Sequence, residues 1–391
     1  MVAEMWDAEQ EQGQDGGRIA QADRHGAGDG VRRLLAIART GLPSSIDPST
    51  GDLVQTVRRS DDSAAPLRRE GTSLRYTAIA ALGLSCLPQA EQREILGGRD
   101  AAELAESIGR RALDGADPGA AALAAWAVAE ISGTPDPALL ARLGRDLAGG
   151  TPIPTVDLSW IVTAAVASGP PGEAVATLGG TRLVQGGGRH GIFPHVLPAD
   201  SQNPWRRHVG SFADQVYPVQ ALARLARATG DRSLLEAAET TADRICDLQG
   251  PDGQWWWHYD VRTGGVVERF PVYSVHQHAM APMVLFDLAD AGGRDRTSHV
   301  LRGLRWIGTH PEVEEDLADA SVGMIWRKAG RREPPKAARR LSAVTTAIRP
   351  GLHVPMLDRV MPAGRVDHEC RPYELGWLLY AWLSTTGEAR S

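Results

Sequence analysis

Apolar residues recur along the chain with the three- and four-residue spacing that is typical of helices, and the predicted helices are of two kinds. Helices of the first kind are apolar on nearly every face, so we expect them to be buried. They are residues 75–84, 119–131, 157–167, 213–226, 275–289 and 371–383. Helices of the second kind are amphipathic and rich in Arg and Glu, so we expect one face of each to meet water. They are residues 30–39, 101–113, 137–147, 171–185, 234–249 and 297–309.

The order of the two kinds predicts the architecture. Amphipathic and apolar helices alternate six times along the chain. An arrangement that buries all the apolar helices is an inner ring of six helices sheathed by six outer ones. The sequence therefore predicts an all-α fold, an α/α toroid or (α/α)6 barrel.

The N-terminal region differs from the rest. Residues 1–28 are rich in Gln, Gly, Asp and Glu and carry few large apolar side chains. Such a segment buries too little apolar surface to offset the entropy of ordering. We expect a disordered tail over 1–28 and a single toroid domain over 29–391.

The lengths of the connections predict which face carries function. The turns from inner to outer helices are short, as in 228–231, whereas 186–211, 250–273 and 311–370 are long connections that lead to inner helices. In a ring these long loops gather on one face, above the N-termini of the inner helices. Loops on a rigid scaffold often carry function, and helix N-termini favour anionic groups. We expect a small-molecule site on that face.

A repeated junction follows two of the predicted outer helices. Gln249, Gly253 and Trp255 stand in the order Gln, spacer, Gly, any residue, aromatic, and residues 185–193 hold a degenerate copy 64 positions earlier. Here the Gln can satisfy carbonyls at the helix end, while the Gly permits a left-handed turn. The pattern resembles the repeat motif of the terpenoid cyclases, whose toroid is similar to that of the protein prenyltransferases. This resemblance implies a toroid that cyclises or isomerises a small isoprenoid after protonation.

A second resemblance points to another chemistry. The segments 217–222 and 228–231 are similar to phrases that are common in the six-hairpin barrels of carbohydrate-active enzymes. This resemblance implies the same ring of helices with a hydrolase, lyase or epimerase of glycan metabolism.

Two family signatures are missing from the chain. The Asp-x-Asp-Asp signature with which class II terpenoid cyclases protonate an alkene is absent, since neither Asp61-Asp62 nor the acidic segment 314–319 matches it. The zinc site of protein prenyltransferases needs Asp, Cys and His in that order, but no His follows Asp367 and Cys370. Protein prenylation is therefore disfavoured.

Polar residues at the start of the inner helices are candidates for the chemistry, because polar groups that face the interior of a ring are costly unless they are satisfied or used. Asp214 begins the fourth inner helix and is the first candidate for an acid or a base. An N-cap is its structural alternative. Tyr217, one turn further on, is predicted to bind substrate.

Two histidines precede the fifth inner helix. His276 and His278 share a side only if this segment is extended. His276 is predicted to transfer protons, since an imidazole titrates near neutral pH. His278 and Tyr273 are predicted to bind substrate, and a shared metal or a hydrogen-bonded core histidine are the alternatives. We predict no metal and no cofactor.

The approach to the last inner helix is also polar. Glu369 is the third catalytic candidate, and Arg371 and Tyr373 are predicted to bind substrate, with Pro372 in the first helical turn. A structural Arg-Glu pair is the alternative. Cys370 has no base beside it in sequence and is not expected to be a nucleophile.

An aromatic loop spans 255–260. In an extended segment alternate rings face opposite sides, so Trp256 and His258 are predicted to face the cavity. Flat rings suit a carbocation or the face of a sugar. Further residues expected to line the site are Arg75, Tyr76 and Trp160, followed by Asp157, His190 and His195.

The leading functional prediction is a terpenoid-cyclase-like enzyme. In it Asp214, or another buried carboxylic acid, protonates an alkene or epoxide. The resulting cation is stabilised by Trp256, Trp160 and Tyr273.

Two other functions remain open. A carbohydrate-active enzyme would pair Asp214 with Glu369 or His276 across a sugar. A non-catalytic toroid would bind a partner through the acidic stretch 312–319 or the Arg-rich segment 327–332.

Charge and cysteine content narrow the class of partner. The net charge of −6 and the pI near 6.0 disfavour nucleic acid, which binds clustered cations. The three cysteines are far apart and lack a Cys-x-x-Cys spacing, so we expect a reducing compartment. No leader pattern and no run of 18 apolar residues occur. We predict a cytoplasmic protein with a small-molecule substrate and no membrane span.

Overall fold

The computed structural model describes residues 17–60, 67–334 and 336–384. In chain order the helices are α1 (Arg18–Arg24), α2 (Gly28–Ser44), α3 (Leu74–Leu84), α4 (Gln89–Ile95), α5 (Ala101–Asp114), α6 (Pro118–Ser132), α7 (Pro137–Ala148), α8 (Thr155–Ala167), α9 (Glu173–Gly186), α10 (Ala213–Thr229), α11 (Arg232–Asp247), α12 (Ala281–Asp290, after a π-helical turn His276–Met280), α13 (Thr297–Thr309), α14 (Ala337–Ile348), α15 (Leu357–Val360) and α16 (Tyr373–Leu383). The predicted fold class is confirmed. Helices α3, α6, α8, α10, α12 and α16 form the inner ring, and α2, α5, α7, α9, α11 and α13 form the outer layer.

Aspartates define where several helices begin. Asp100 accepts a hydrogen bond from the N–H of Glu103, whose side chain bonds back to the N–H of Asp100, so the two form a capping box at α5. Asp117 and Asp136 cap α6 and α7 immediately before a proline in the first helical position. These caps fix the direction in which each helix leaves its turn.

The ring closes between its first and last inner helices. Each inner helix packs on the next, and α16 packs on α3. At this seam a Cβ on Gly83 would overlap the carbonyl oxygen of Gly376, and a Cβ on Gly376 would lie 3.0 Å from the Cα of Ala80. Closure at this spacing therefore requires glycine at both positions.

Helix α1 corrects the predicted boundary of the N-terminal tail. The chain is helical from Arg18, and Ile19 is buried in the core. The guanidinium of Arg18 donates to Oδ1 of Asp287 at 3.0 Å. A few well-placed contacts order this segment, although its average composition predicts disorder. Residues 1–16 of the predicted tail lie outside the described residues.

Short antiparallel strands lie within the connections that lead from outer to inner helices, where the sequence predicts only loops. They are β1 (Val54–Arg59), β2 (Leu67–Thr72), β3 (Ile153–Pro154), β4 (Val196–Leu197), β5 (Val209–Ser211), β6 (His258–Asp260), β7 (Val266–Glu268), β8 (Val272–Tyr273), β9 (Ala318–Asp319), β10 (Met324–Ile325), β11 (Lys328–Arg331), β12 (Ala363–Asp367) and β13 (Glu369–Cys370). The sheets have the orders β13-β1-β2, β12-β11-β8, β5-β6-β7, β3-β4 and β10-β9. Strands β2, β3, β5, β8 and β13 each lead into an inner helix, so the sheets hold the loops at the N-terminal end of the ring.

Within the described residues no helix combines the length and the apolar character that crossing a bilayer would need. The prediction of one toroid domain over 29–391 stays a prediction.

The seam provides a test of the fold. In Gly83→Ala the new methyl group meets the backbone of α16, so we expect the free energy of unfolding to fall by about 1–3 kcal/mol. Urea unfolding followed by circular dichroism measures it. Gly30→Ala is the matched control, because Gly30 is also helical and a Cβ there meets open space. Equal stability of the two variants would contradict the proposed closure.

Candidate active site

Polar side chains collect where the inner helices begin. Because each inner helix alternates with an antiparallel outer one, all six inner helices start at the same end of the ring. Residues at or next to these starts are Arg75, Asp117, Asp157, Asp214, His276 and Glu374. This end of the ring is the candidate active site.

Arg75 joins two carboxylates from neighbouring inner helices. Its Nη1 and Nη2 donate to Asp157 at 2.7 and 3.0 Å, and its Nε donates to Asp117 at 2.7 Å. One guanidinium cannot neutralise two carboxylates, so this group keeps a net negative charge. Burial raises the pKa of Asp157 despite the opposing effect of Arg75. At the more exposed Asp117 burial is outweighed by the hydrogen bond and charge of Arg75 together with the N–H groups of Ala120 and Gly119, so the pKa of Asp117 is lowered.

Gly119 provides the space in which Arg75 lies. A Cβ at this position would overlap the guanidinium carbon of Arg75 and Oδ1 of Asp157. On another side the guanidinium carbon is 5.4 Å from the ring centre of Trp160. Gly119 and Trp160 therefore fix the position of Arg75 between the two carboxylates. We call Arg75, Asp117 and Asp157 together the clamp.

A histidine beside this clamp is bound to a second buried carboxylate. Nδ1 of His195 lies 3.1 and 3.2 Å from the two carboxylate oxygens of Asp214. Asp214 also accepts hydrogen bonds from the N–H and the hydroxyl of Ser211, at 2.7 and 2.8 Å. Asp214 is fully buried, whereas the side chain of His195 is 56% exposed. The hydrogen bond to Asp214 and the charge of that carboxylate raise the pKa of His195.

Backbone pairing brings His195 to Asp157. The N–H of Thr155 donates to the carbonyl of His195 at 3.0 Å, which extends the β3–β4 ladder to the start of α8. His195 and Asp157 are close enough that each charge affects the pKa of the other. Among the described residues Nε2 of His195 has no hydrogen-bond partner. The site thus presents a free imidazole nitrogen beside a buried carboxyl.

The aromatic loop forms another wall. His258 is buried and pairs with Ser211 across β5 and β6. Its ring stacks on Trp257 with the centroids 3.9 Å apart, and the guanidinium carbon of Arg339 in α14 lies 4.9 Å from the centre of Trp257. Burial, followed by the charges of Arg206 and Arg339, lowers the pKa of His258 well below its usual value. His258 is therefore neutral at pH 7.

The prediction that Trp256 faces the cavity is wrong. Its ring packs on Phe270, 6.1 Å between centroids, and under Arg269, in a separate surface groove. Alternation fails because Trp257 and His258 stack on each other and a register shift follows between His258 and the next residue. Trp257, which was not predicted, stacks on His258 and contacts Tyr273 with the ring centroids 5.7 Å apart.

His276 and His278 lie in the π-helical turn and not in an extended lead-in, so they do not share one side. The ring of His276 lies between Phe212 and Tyr273, with centroid distances of 4.5 and 5.1 Å. Burial lowers the pKa of each histidine to about 3. In the part of the chain that is described, no three His, Cys, Asp or Glu side chains form a group that could hold a metal ion.

Glu369 forms the structural Arg–Glu pairing that was the alternative to a catalytic role. Its buried carboxylate lies 2.7 Å from Nη1 of Arg327 and 2.8 Å from Nη2 of Arg58, and it also binds Arg371. Three guanidiniums occupy its oxygens. This cluster anchors β13 to β1 beside the site, so Glu369 belongs to a structural ion-pair network.

The remaining predicted residues are aromatic side chains of the ring. Tyr76 and Tyr373 are in contact across the seam, with centroids 4.7 Å apart. Trp160 meets Tyr217 edge to face at 5.1 Å, and the Tyr217 hydroxyl accepts a hydrogen bond from Nε1 of Trp377 at 2.9 Å. Burial raises the pKa of Tyr217. Tyr217 is thus part of the packed ring beneath the site.

The three predicted catalytic residues do not form one constellation. Among the described residues no hydrogen bond joins Asp214, His276 and Glu369 to one another. The residue that sequence analysis missed is Asp117, although its position before a proline at the start of an inner helix is the same signal that marks Asp136. Its partner Arg75 was predicted only as a lining residue.

The repeated junction holds outer helices together. Nε2 of Gln249 donates to the carbonyl of His299 in α13 at 2.9 Å and to that of Gly253 at 3.0 Å. Gln185, its counterpart in the degenerate copy, makes no such bond among the described residues. The junction therefore explains packing and carries no chemistry. The acidic pair at 61–62 lies outside the described residues.

No family model and no curated protein matches this sequence. Solved structures match the fold. An unsaturated glucuronyl hydrolase from Bacillus sp. GL1, responsible for the degradation of glycosaminoglycan, aligns with 90% of this chain and 95% of its own at 17% identity and a TM-score of 0.54. An unsaturated glucuronyl hydrolase specific for heparin has the same coverage and TM-score at 12% identity. A possible member of the GH105 family from Salmonella enterica serovar Paratyphi A covers 90% of this chain and 92% of its own, at 12% identity and a TM-score of 0.53.

These matches correct the leading functional prediction. The proteins that share the ring are described as glucuronyl hydrolases and a possible GH105 member, so the terpenoid-cyclase prediction is wrong and the resemblance to carbohydrate-active six-hairpin barrels is supported. The neighbours agree with the prediction of an enzyme. The error arose because the Gln-Gly-aromatic junction is a feature of helix packing. Unrelated toroids can share this feature.

The clamp can be tested through stability. Arg75→Gln leaves Asp157 and Asp117 together without their cation, so we expect the free energy of unfolding at pH 7 to fall by about 1–3 kcal/mol. Without Arg75 the pKa of Asp157 rises further above its unfolded value, so the loss should shrink as the pH falls and the carboxyl is protonated. Arg68→Gln, at an exposed arginine, is the control. A loss that does not change with pH would contradict the clamp.

Proposed function

We propose that this protein is a carbohydrate-active enzyme that cleaves a glycosidic bond with water at the N-terminal end of the inner ring. His195 is the general acid that protonates the leaving oxygen, and Asp157 is the general base that takes a proton from the attacking water. The observation that carries the proposal is the free, exposed imidazole of His195, held by Asp214, beside the buried carboxyl of Asp157, held by Arg75.

The electrostatics of the pair fit these roles. Asp214 raises the pKa of His195, so the imidazole keeps its proton closer to neutral pH and Nε2 can donate it. Burial raises the pKa of Asp157 and makes its carboxylate a stronger base, while the hydrogen bonds and the charge of Arg75 offset part of this effect. Asp214 and Arg75 are positioning residues.

Aromatic rings near the pair favour a sugar substrate. Trp160 packs beside Arg75, and Trp257 and Tyr273 are in contact with each other at 5.7 Å between centroids. Flat rings of this kind stack on the apolar faces of sugars. The glucuronyl hydrolases that share the ring act on sugars by their description, which supports the same substrate class.

Two of the predicted catalytic residues take no part in this proposal. His276 is buried and neutral, and its contacts are aromatic. Glu369 is engaged by arginines. Asp214 keeps a role at the site, but as the residue that orients and charges His195.

We retain a cytoplasmic location and a single toroid domain as further proposals. Cys246 and Cys370 form no disulfide with any described residue, which supports a reducing compartment.

Substitution tests the acid and the base. The wild type is incubated with a panel of neutral and acidic oligosaccharides and the new reducing ends are measured. We expect Asp157→Asn and His195→Gln to lower kcat by about 10²–10⁴-fold with little change in stability. His25→Gln, at an exposed histidine between α1 and α2, should retain full activity. Release of reducing ends by His195→Gln at the wild-type rate would contradict the proposal.

The pH profile tests the order of the two groups. Activity should fall at low pH as Asp157 is protonated and at high pH as His195 loses its proton. In Asp214→Asn the group that raises the pKa of His195 is removed, so the high-pH limb of kcat/KM should move to lower pH while the low-pH limb stays in place. If the high-pH limb does not move, His195 is not the acid.

A further inference from the structure

Helix α14 buries its small side chains and exposes its large apolar ones. Leu341, Val344 and Ile348 share one face by their helical spacing, and all three are exposed, Ile348 at 68%. A surface helix normally turns its large apolar side chains to the core. The buried face of α14 instead holds Ala338, Ser342, Ala343 and Thr346. The face of α14 that is suited to burial is thus the face that meets solvent.

The exposed apolar side chains continue beyond α14. Of the nine large apolar side chains that are exposed in the described residues, six lie within 341–360. Single exposed apolar side chains are common, but a concentration of them marks an interaction site. We call these six side chains the apolar surface: Leu341, Val344, Ile348, Leu352, Met356 and Val360.

A buried ion pair holds the two helices that carry this surface. Glu268 in β7 and Arg331 in β11 are 2.9 Å apart. The hydroxyl of Ser342 in α14 donates to Oε2 of Glu268 at 2.9 Å. Arg331 also lies 2.8 Å from Oδ1 of Asp358 in α15. Both helices are therefore fastened to one point of the sheets, which holds the apolar surface in place.

The segment that carries the apolar surface is basic. Residues 336–360 contain a single carboxylate, Asp358, which is bound to Arg331. The chain as a whole has a net charge of −6, so the positive charge is a local feature of this segment. Exposed cations flank the apolar side chains, at Lys336, Arg340, Arg349 and Arg359.

We propose that the apolar surface and its flanking cations bind the face of an anionic lipid bilayer. Helices that lie in the plane of a membrane interface place an apolar face at the boundary between headgroups and acyl chains, and their Lys and Arg side chains meet anionic headgroups. Helix α14 and the segment 349–360 have both features. The inference concerns a partner of the protein and does not depend on the proposed function.

Charge and side-chain type favour a bilayer over a protein partner. A symmetric dimer brings the same surface of two copies together, so Arg340, Arg349 and Arg359 would lie near the same cations of the second copy and repel them. Binding energy between proteins is concentrated in Trp, Tyr and Arg anchors, with Leu and Val under-represented. The apolar surface is aliphatic throughout apart from the thioether of Met356, which suits acyl chains.

The apolar surface lies behind a wall of the candidate active site. The guanidinium carbon of Arg339 in α14 is 4.9 Å from the ring centre of Trp257, which stacks on His258. A helix is about 10 Å across. A bilayer bound to the outer face of α14 would therefore lie roughly one helix diameter from these rings. The site would then open beside the membrane surface.

Vesicle binding by the full chain tests the proposal. The protein is sedimented with sucrose-loaded vesicles of phosphatidylcholine, and with vesicles that also contain phosphatidylserine. We expect the wild type to bind the second kind, and Ile348→Ser and Arg349→Glu each to weaken this binding by about tenfold or more, because an apolar contact or a charge attraction is lost. The matched controls are Val184→Ser in α9 and Arg232→Glu in α11, which are exposed and outside the apolar surface. Both should bind as the wild type does.

The alternatives give different results. Failure of the wild type to bind either kind of vesicle would overturn the proposal, as would wild-type binding by Ile348→Ser. A wild-type dimer in analytical ultracentrifugation that Ile348→Ser converts to a monomer, without vesicle binding, would assign the surface to a second copy and also overturn it. Thermal unfolding checks folding, and Ile348→Ser should unfold at the wild-type temperature because Ile348 is exposed. Met356→Ser, at another exposed position, gives an independent test if Ile348→Ser does not fold.

Discussion

The contact between α3 and α16 is the constraint on which the rest of the structure depends. Gly83 and Gly376 let the first and last inner helices approach until backbone meets backbone, and this closes the ring. Closure brings the N-termini of all inner helices together at one end. Only then do Arg75 from α3, Asp157 from α8 and Asp214 from α10 lie close enough to share one site.

The sequence predicts the ring of helices but not the detailed structure of the loops at its N-terminal end. Alternating apolar and amphipathic helices are a repeated signal over most of the chain, so the six inner and six outer helices were placed correctly. The order of the N-terminal segment was harder to predict. Helix α1 is held by a few long-range contacts, such as that of Arg18 with Asp287, and composition does not reveal such contacts. The strand register of the aromatic loop likewise shifts after His258, so Trp257 and not Trp256 stacks on His258.

Only part of the candidate site could be predicted from the sequence. Burial and pairing depend on partners that are distant in sequence. Asp214 was recognised as a carboxylate at an inner-helix start, but its partner His195 is placed by the β3–β4 pairing that follows from the fold. Glu369 carries the same sequence signal and has a different role, since three arginines converge on it.

The central claim is that a sugar is bound between His195 and Asp157 at the mouth of the ring. A crystal structure of Asp157→Asn with an acidic oligosaccharide tests it most directly. The account predicts a glycosidic oxygen within about 3 Å of Nε2 of His195. A sugar bound instead in the groove beside Trp256, with the mouth of the ring empty, would contradict it.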